Sequence, residues 1–269
     1  MTYHALALSC TLIAGLAAAD GLELPESIVQ DPDTGTLYCS NVGGSEATLD
    51  AVAAKDGNGF ISRLNADGSV ETLKLIPQAG DPPLNGPKGL CIIGTLLWVA
   101  DIDRVVAYDL ETGKQFSEYS LVEKKVIFAN DLSEIEGKLL VTDTAGDQIL
   151  QLKGADRGTI TGAEVIEKGV FGGANGITTD GQGTIYLATF PIGEMLKAGG
   201  LVRAFTFGES LAKRSKLGFA AGQWDGVAVA ADGTVYASDW NTSGIWKLAP
   251  GGQPEQIAKD LQGPADFCL

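Results

Sequence analysis

The sequence predicts an all-β fold, a six-bladed β-propeller whose sixth blade is incomplete at the C-terminus. Three observations support this fold class. A similar segment recurs six times at intervals of roughly 40–60 residues, close to the usual blade length of about 40–50 residues. The full repeats contain short apolar runs separated by turn residues, which is typical of strands. Glycine, at 36 of 269 residues, is about twice its usual share of ~7%, as expected for a chain with many tight turns.

Each repeat begins with a short motif at the entrance of an apolar strand. The six motifs are Pro25-Glu26-Ser27-Ile28, Pro87-Lys88-Gly89-Leu90, Ala129-Asn130-Asp131-Leu132, Ala174-Asn175-Gly176-Ile177, Trp224-Asp225-Gly226-Val227 and Pro264-Ala265-Asp266-Phe267. The first strand of every propeller blade lines the central channel. We therefore expect the second residues of the motifs, here called the ring positions, to surround one mouth of the channel. The ring positions are Glu26, Lys88, Asn130, Asn175, Asp225 and Ala265.

A hairpin turn follows the first strand in each of the five complete repeats. The turns are Asp33-Thr34-Gly35, Ile93-Gly94-Thr95, Glu136-Gly137-Lys138, Asp180-Gly181-Gln182-Gly183 and Asp232-Gly233. Most of these residues tolerate the positive φ angles of tight turns. The second strands run back to the channel mouth, so we expect the residues at their ends to form an outer circle around the ring positions. The outer circle consists of Asn41, Asp101, Asp143, Thr189 and Asp239.

The sixth repeat is the exception, because the sequence ends at Leu269 within its predicted first strand. A complete sixth blade would need roughly 25–35 further residues at the ~40-residue period. The sequence thus predicts either a truncated chain or a ring that closes in another way. The predicted organisation is a single propeller domain over residues 20–269.

Residues 1–19 have the pattern of a secretory signal peptide. An apolar stretch over residues 5–19 ends in Leu-Ala-Ala-Ala, which predicts cleavage after Ala19 and a periplasmic or secreted protein. The four residues before it carry no Lys or Arg, so a cytosolic N-terminus is the alternative. His4 is the single histidine, and a cleaved chain would therefore have no Ser-His triad, Cys-His pair or zinc-protease motif. No apolar run is long enough for a membrane span in the mature chain.

Charge and cysteine content restrict the partners. The formal net charge of -15 repels the phosphate backbone, so it disfavours nucleic-acid binding and favours the binding of cations. Cys39, Cys91 and Cys268 would remain after cleavage, and their apolar surroundings predict buried, unbonded residues. One disulfide is the alternative, and the sequence does not say which residues would pair.

Four ring positions carry oxygen atoms that suit a metal ion. Glu26, Asn130, Asn175 and Asp225 supply two carboxylates and two amide carbonyls, with no sulfur or imidazole. Such a set is typical of a hard divalent cation, so we expect Ca²⁺, with Mn²⁺, Mg²⁺ or Zn²⁺ as alternatives. The structural alternative is that Asn175-Gly176 and Asp225-Gly226 only form turns.

At these positions the sequence resembles the SMP-30/gluconolactonase/LRE-like family of six-bladed β-propellers, over about residues 24–269. Its marks are Pro-Glu-Ser at 25–27, Asn-Asp at 130–131, Asn-Gly at 175–176 and Trp-Asp-Gly at 224–226. The resemblance implies that Glu26, Asn130, Asn175 and Asp225 bind a divalent metal, and that Asp225 is the general base for opening a lactone. Family lactonases carry an arginine two residues before the first metal-binding asparagine, where this chain has Phe128. A less polar lactone or ester is therefore as good a candidate substrate as a sugar lactone.

Two hypotheses about function follow. The first is a metal-dependent hydrolase of a small-molecule lactone or ester, with Asp225 as the base. The second is a non-catalytic propeller that binds a ligand or protein and holds a structural calcium. Two longer connections, residues 43–59 and 191–200, follow second strands and are predicted to overhang the channel mouth as lids.

Overall fold

The computed structural model describes residues 21–45, 48–192, 199–208 and 215–269, and these form five four-stranded antiparallel sheets. Within each sheet the strands follow one another in sequence order. Blade one contains β1 Pro25–Gln30, β2 Leu37–Asn41, β3 Phe60–Leu64 and β4 Val70–Ile76. Blade two contains β5 Pro87–Ile93, β6 Leu96–Asp101, β7 Arg104–Asp109 and β8 Gln115–Ser120. Blade three contains β9 Ala129–Ile135, β10 Lys138–Asp143, β11 Gln148–Lys153 and β12 Gly162–Lys168. Blade four contains β13 Ala174–Thr179, β14 Thr184–Thr189, β15 Val202–Thr206 and β16 Ser215–Lys216. Blade five contains β17 Trp224–Val229, β18 Val235–Asp239, β19 Gly244–Leu248 and β20 Glu255–Ala258.

Helical structure in the described residues is short. Helix α1, Leu49–Val52, lies in the connection between β2 and β3. Single 3₁₀ turns occupy Val122–Lys124 and Ala155–Arg157. Among the residues that the structure describes, none of the helices has the length and apolar character that a membrane crossing requires.

The apolar core lies between neighbouring blades. The first strands β1, β5, β9, β13 and β17 contact one another in that order around the channel. Trp98 of blade two and Leu139 of blade three belong to the same buried cluster, and Leu140 and Ile185 belong to the next cluster, between blades three and four. Alternate residues of a strand face opposite sides of its sheet, so each middle blade contributes to two of these layers.

The six-bladed prediction is wrong, because the described chain forms five blades. The sixth motif lies in residues 264–269, here called the C-terminal segment, which contains no β-strand. The segment lies between β17 and β1 and contacts both strands. The Asp266 backbone N–H donates to the Glu26 carbonyl oxygen at 2.9 Å, and a Cβ atom on Gly226 would lie 2.7 Å from the Asp266 Cα. The motif thus marks the position of a first strand, but in the described residues no hairpin partner pairs with it.

The hairpin turns form where the sequence predicts them. Gly94 has a φ of 60° between β5 and β6, and Gly233 has a φ of 84° between β17 and β18. A residue with a Cβ atom rarely adopts these angles, so glycine permits the abrupt reversals that keep the strands short.

Candidate functional site

All five ring positions that belong to blades lie in β-bulges. In blade one the pairing of β1 with β2 passes from Pro25–Asn41 to Ile28–Cys39, so Glu26 and Ser27 together oppose Ser40. The same two-against-one step occurs in the other four blades, after Pro87, Ala129, Ala174 and Trp224. A bulge re-aims side chains locally and is common beside functional sites. Each of these five ring positions is the second residue of its strand, as the repeat pattern predicts, whereas Ala265 lies outside any strand.

In three of these bulges, a side-chain hydroxyl oxygen accepts a hydrogen bond from a backbone N–H group that the strand pairing leaves unpaired. Ser40 Oγ accepts from the Ser27 N–H at 2.9 Å, and Thr142 Oγ1 accepts from the Asp131 N–H at 2.9 Å. Ser238 Oγ accepts from the Gly226 N–H at 2.8 Å. Because these bonds lie in the buried centre of the ring, each one avoids the cost of an unpaired buried donor.

Glycine after two ring positions lets adjacent first strands approach closely. A Cβ atom on Gly89 would collide with the Asp131 backbone, and a Cβ atom on Gly176 would collide with the Asp225 carbonyl oxygen. The strands that carry Asn175 and Asp225 are therefore in direct backbone contact. Replacing Gly176 by any residue with a Cβ atom would push these two ring positions apart.

Four members of the outer circle anchor the segments that lead into the first strands, whereas the Thr189 hydroxyl bonds to the Leu201 backbone. Each of the five members of the circle is the last residue of its second strand and is almost completely buried. Asp143 Oδ1 accepts from the Phe128 N–H at 2.9 Å, and Asp239 Oδ1 accepts from the Gln223 N–H at 2.7 Å. Asn41 and Asp101 accept in the same way from residues just before β1 and β5. These four residues therefore position the ring residues of their blades through the backbone.

The ring positions bring acidic groups close together. Burial raises the pKa of Glu26 well above its ordinary value, and the nearby charge of Asp225 raises it further. Burial also raises the pKa of Asp225 to about 7, with the charge of Asp266 adding to the effect and a hydrogen bond from the Trp240 side chain opposing it. Asp266 has its pKa raised to about 6 by burial. Carboxyl groups this crowded resist losing all their protons unless a cation neutralises them.

Two oxygen atoms of the ring are buried and accept no hydrogen bond. They are Glu26 Oε2 and Asn175 Oδ1. A buried oxygen without a donor costs free energy, and a bound cation is one way to satisfy it. Among the described residues, no group of three or more His, Cys, Asp or Glu side chains has the arrangement of a metal site. A cation at this mouth would thus need the amide oxygens of Asn130 and Asn175 as well as the carboxylates, and both asparagines are buried there.

Lys88 occupies the ring position of blade two and is only 2% exposed. Its Nζ donates to the carbonyl oxygens of Val52 at 2.9 Å and Gly86 at 3.0 Å, and it lies 4.1 Å from the centre of the Phe128 ring. Burial lowers the pKa of Lys88 to about 8, while Glu26 and Asp101 favour its charged form. The lysine therefore places one positive charge among the acids and holds the end of α1 over blade two.

The first predicted lid is partly described. Residues 48–59 lie beside blade two, held by the Lys88 contact and by an ion pair between Lys55 and Asp103. Most of the second predicted lid, residues 193–198, lies outside the described residues, as does the predicted signal peptide.

Aromatic side chains border the mouth near Asp225. Phe190 follows β14 and Trp240 follows β18, and their rings meet edge to face with centroids 5.6 Å apart. Trp240 is 38% exposed, and it is the residue whose side chain bonds to Asp225. Trp224, by contrast, is buried against Phe219, so its role is packing.

Sequence reasoning left two charged residues of the channel without a role. Asp131 and Asp266 each follow a ring position, and each side chain bridges two first-strand positions. Asp131 Oδ2 accepts from the Ile177 N–H at 2.6 Å, and Asp266 Oδ2 accepts from Ser27 Oγ at 2.6 Å. The signal was present in the repeat, because the residue after the ring position is Ser, Gly or Asp in all six motifs.

The fold and the mouth define the class of protein, a β-propeller with an acidic and amide-lined channel mouth. No protein-family model and no curated protein matches the chain. Among solved structures, a gluconolactonase from Xanthomonas campestris is similar, with a TM-score of 0.64 and 15% identity over 93% of this chain and 80% of that chain. A virginiamycin B lyase from Staphylococcus aureus, solved with quinupristin, has a TM-score of 0.57 and 16% identity over 91% and 88% of the two chains. A chain of a nidogen/laminin complex has a TM-score of 0.57 and 13% identity over 91% and 82%. At these identities the similarity establishes the propeller fold alone.

Proposed function

We propose that this chain is a metal-dependent hydrolase of a lactone or ester. The observation that carries the proposal is the pair of buried, unpartnered oxygens, Glu26 Oε2 and Asn175 Oδ1, beside the crowded carboxyl group of Asp225. The fold similarity to a gluconolactonase and to a virginiamycin B lyase supports bond-breaking chemistry on this fold.

Glu26, Asn130, Asn175 and Asp225 would hold the cation, for which Ca²⁺ is our first choice on the chemistry of the ligands. When bound, a divalent cation would act as a Lewis acid toward the carbonyl group of the substrate. Asp266 and Asp131 complete the acidic surroundings, so the mouth attracts cations over more than the immediate ligands.

Asp225 would act as the general base that removes a proton from the attacking water. Without metal its pKa is raised to about 7, so the group can accept a proton near neutral pH. Trp240 donates to this carboxyl group, which fixes its orientation and favours the charged form. With His4 in the predicted signal peptide, the propeller offers no imidazole for this step.

The residues around the mouth favour a substrate with an apolar portion. The Phe190–Trp240 pair lies beside Asp225. The buried Lys88 ammonium group, near Phe128, already has two carbonyl acceptors and an aromatic ring as partners. Lys88 is thus engaged and gives a polyhydroxylated substrate little to bind. We therefore propose alkyl or aryl lactones and esters ahead of sugar lactones.

A substrate panel assayed with and without metal tests the proposal. Protein treated with EDTA and then reloaded with Ca²⁺, Mn²⁺, Mg²⁺ or Zn²⁺ would be assayed on glucono-δ-lactone, alkyl γ- and δ-lactones and p-nitrophenyl esters. We expect hydrolysis that requires metal and falls at least 100-fold in Asp225→Asn, which keeps an oxygen ligand but loses the base. Calcium binding without hydrolysis of any substrate would contradict the proposal and favour the non-catalytic binding propeller.

A further inference from the structure

The C-terminal segment is fixed along one face of blade one. Its Asp266 N–H donates to the Glu26 carbonyl oxygen, and Ser27 Oγ donates to the Asp266 side chain. The next two residues, Phe267 and Cys268, pack against a buried apolar cluster on that face. The members of the cluster are Ile28, Leu37, Cys39 and Leu64.

Strand register determines where the Cys39 side chain points. Cys39 in β2 is paired with Ile28 in β1, and directly paired residues of an antiparallel sheet project their side chains to the same face. Leu37, two residues before Cys39, projects to that face as well and packs in the same cluster. Tyr38 projects to the other face and packs in the cluster shared with blade two. The Cys39 thiol therefore points into the layer that contains Cys268.

Cys268 packs against the cluster that contains Cys39, and it is one of the groups that affect the pKa of the Cys39 thiol. Burial raises the pKa of the Cys39 thiol to about 12, and the nearby charges of Glu26 and of Cys268 add to this effect. Cys39 is buried in the structure, and Cys268 is partly buried. Cys91 belongs to a different cluster, between blades two and three, and so has neither of them as a neighbour.

We propose that Cys39 and Cys268 form a disulfide bond that fastens the C-terminal segment to blade one. The bond would hold Asp266 in its position beside Glu26 and Asp225. Among the described residues, this is the one place in the ring where two neighbouring first strands, β17 and β1, are separated by a segment without a strand. A bond here closes the ring covalently. Its formation is independent of any catalytic activity.

The oxidant required is a disulfide compound, such as oxidised glutathione or a thiol–disulfide oxidoreductase. The Cys268 thiolate attacks one sulfur of the oxidant, forming a mixed disulfide and releasing one thiol. The Cys39 thiolate then attacks the Cys268 sulfur and releases the second thiol. Two protein thiols lose two protons and two electrons, and the oxidant gains them as two thiols. Because burial raises the pKa of Cys39 in the folded chain, we expect the bond to form as the segment docks during folding.

Peptide mapping of the full-length protein tests the proposal. The chain would be refolded in a glutathione redox buffer, alkylated with N-ethylmaleimide under denaturing conditions and digested without reduction. We expect mass spectrometry to find a peptide containing Cys39 linked to one containing Cys268, with Cys91 alkylated. Alkylation of both Cys39 and Cys268, or linkage of either to another cysteine, would overturn the proposal.

Thermal unfolding gives a second measurement. A disulfide that closes so long a loop should raise Tm by roughly 5–15 °C. Reductant should therefore lower the Tm of the wild type and of the matched control Cys91→Ser by that amount, and should leave Cys268→Ser unchanged. A wild-type Tm that is the same with and without reductant would overturn the proposal even if Cys268→Ser fails to fold.

Discussion

Ser27 Oγ donates a hydrogen bond of 2.6 Å to Asp266 Oδ2, across 239 positions of the sequence. Asp266 also donates its backbone N–H to the carbonyl oxygen of Glu26, the residue before Ser27. Through these two bonds the C-terminal segment completes the circle of first-strand positions around the channel. The first motif and the last motif of the sequence thus meet at the acidic mouth.

Replacing Ser27 by Ala should weaken this closure. The Asp266 carboxyl group, which is ionised part of the time, would lose a partly buried hydrogen bond, and this loss costs about 1–3 kcal/mol. Urea unfolding of Ser27→Ala measures the loss. Ser69→Ala is a suitable control, because Ser69 bonds to Asp67 in an exposed turn and should change stability by less than about 0.5 kcal/mol. Equal stabilities of the two variants would show that the closure contributes nothing.

Raising the pH should destabilise the metal-free protein. A carboxyl group whose pKa is higher in the folded state binds its proton more tightly there, so it stabilises the fold at pH values below its unfolded pKa near 4. That contribution is lost as the pH rises through about 6 for Asp266 and about 7 for Asp225. In EDTA we therefore expect Tm to fall by several degrees between pH 5 and pH 8, and added Ca²⁺ to reverse much of the fall.

Two aspartates provide the control for this pH dependence. Asp266→Asn keeps an acceptor for Ser27 but removes a carboxyl group whose pKa is raised. The Tm of this variant should therefore depend less on pH over this range. Asp232→Asn removes an exposed group whose pKa is lowered by hydrogen bonds in a turn, and its titration lies below the range. A metal-free Tm that is flat or rising from pH 5 to pH 8 would contradict the prediction.

Replacing Lys88 by Met should lower stability and strengthen cation binding at once. The Val52 and Gly86 carbonyl oxygens would lose their donor and the acids would lose a buried counter-charge, for a cost of about 2–4 kcal/mol. Removing a positive charge beside Glu26 should also increase calcium affinity by roughly tenfold or more. Chemical unfolding and calorimetry measure the two effects.

The control for Lys88 is Lys55→Met. Lys55 carries the same charge and lies in the lid that Lys88 contacts, but its side chain is 54% exposed, so its ion pair with Asp103 should contribute less than about 1 kcal/mol. If Lys88→Met weakens calcium binding, the lysine supports the site instead of opposing it, and the electrostatic argument is wrong.

Replacing Asp239 by Ala should disturb the site without touching a proposed ligand. Asp239 accepts hydrogen bonds from the backbone of Gln223, Asn241 and Thr242, and its loss should cost about 3–5 kcal/mol. Calcium affinity should fall too, because Gln223 leads into the strand that carries Asp225. Asp232→Ala in an exposed turn is the control. A stable Asp239→Ala with unchanged calcium affinity would mean that the outer circle has no anchoring role.

The sequence predicts the repeat but not the number of blades. Motif, turn and strand patterns are local, so they place Asn130 and Asn175 at the same point of successive first strands, as observed. The number of blades depends on how the chain closes, which involves contacts such as Ser27–Asp266 between its distant ends. Counting six motifs gave six blades, although the last motif has no paired strand among the described residues.

The candidate site was predictable in part for the same reason. Spacing identifies the ring positions, and the composition of the ring suggests a cation. Spacing does not reveal that Lys88 bonds to the Val52 carbonyl oxygen, or that Asp266 raises the pKa of Asp225, because both depend on which residues of different blades meet. The anchoring role of Asp143 and Asp239 likewise becomes visible only from their backbone partners.

Calcium titration by calorimetry tests the central claim most directly, using EDTA-treated wild type and Asn175→Ala. Asn175 is neutral and contributes a buried oxygen with no hydrogen-bond donor, so its loss removes a ligand while leaving the charge of the mouth unchanged. We predict one calcium bound per wild-type chain with a Kd below the millimolar range, and at least tenfold weaker binding by a folded Asn175→Ala. Wild-type protein that binds no divalent cation at millimolar concentration, or an Asn175→Ala that binds as tightly as the wild type, would contradict the proposed site.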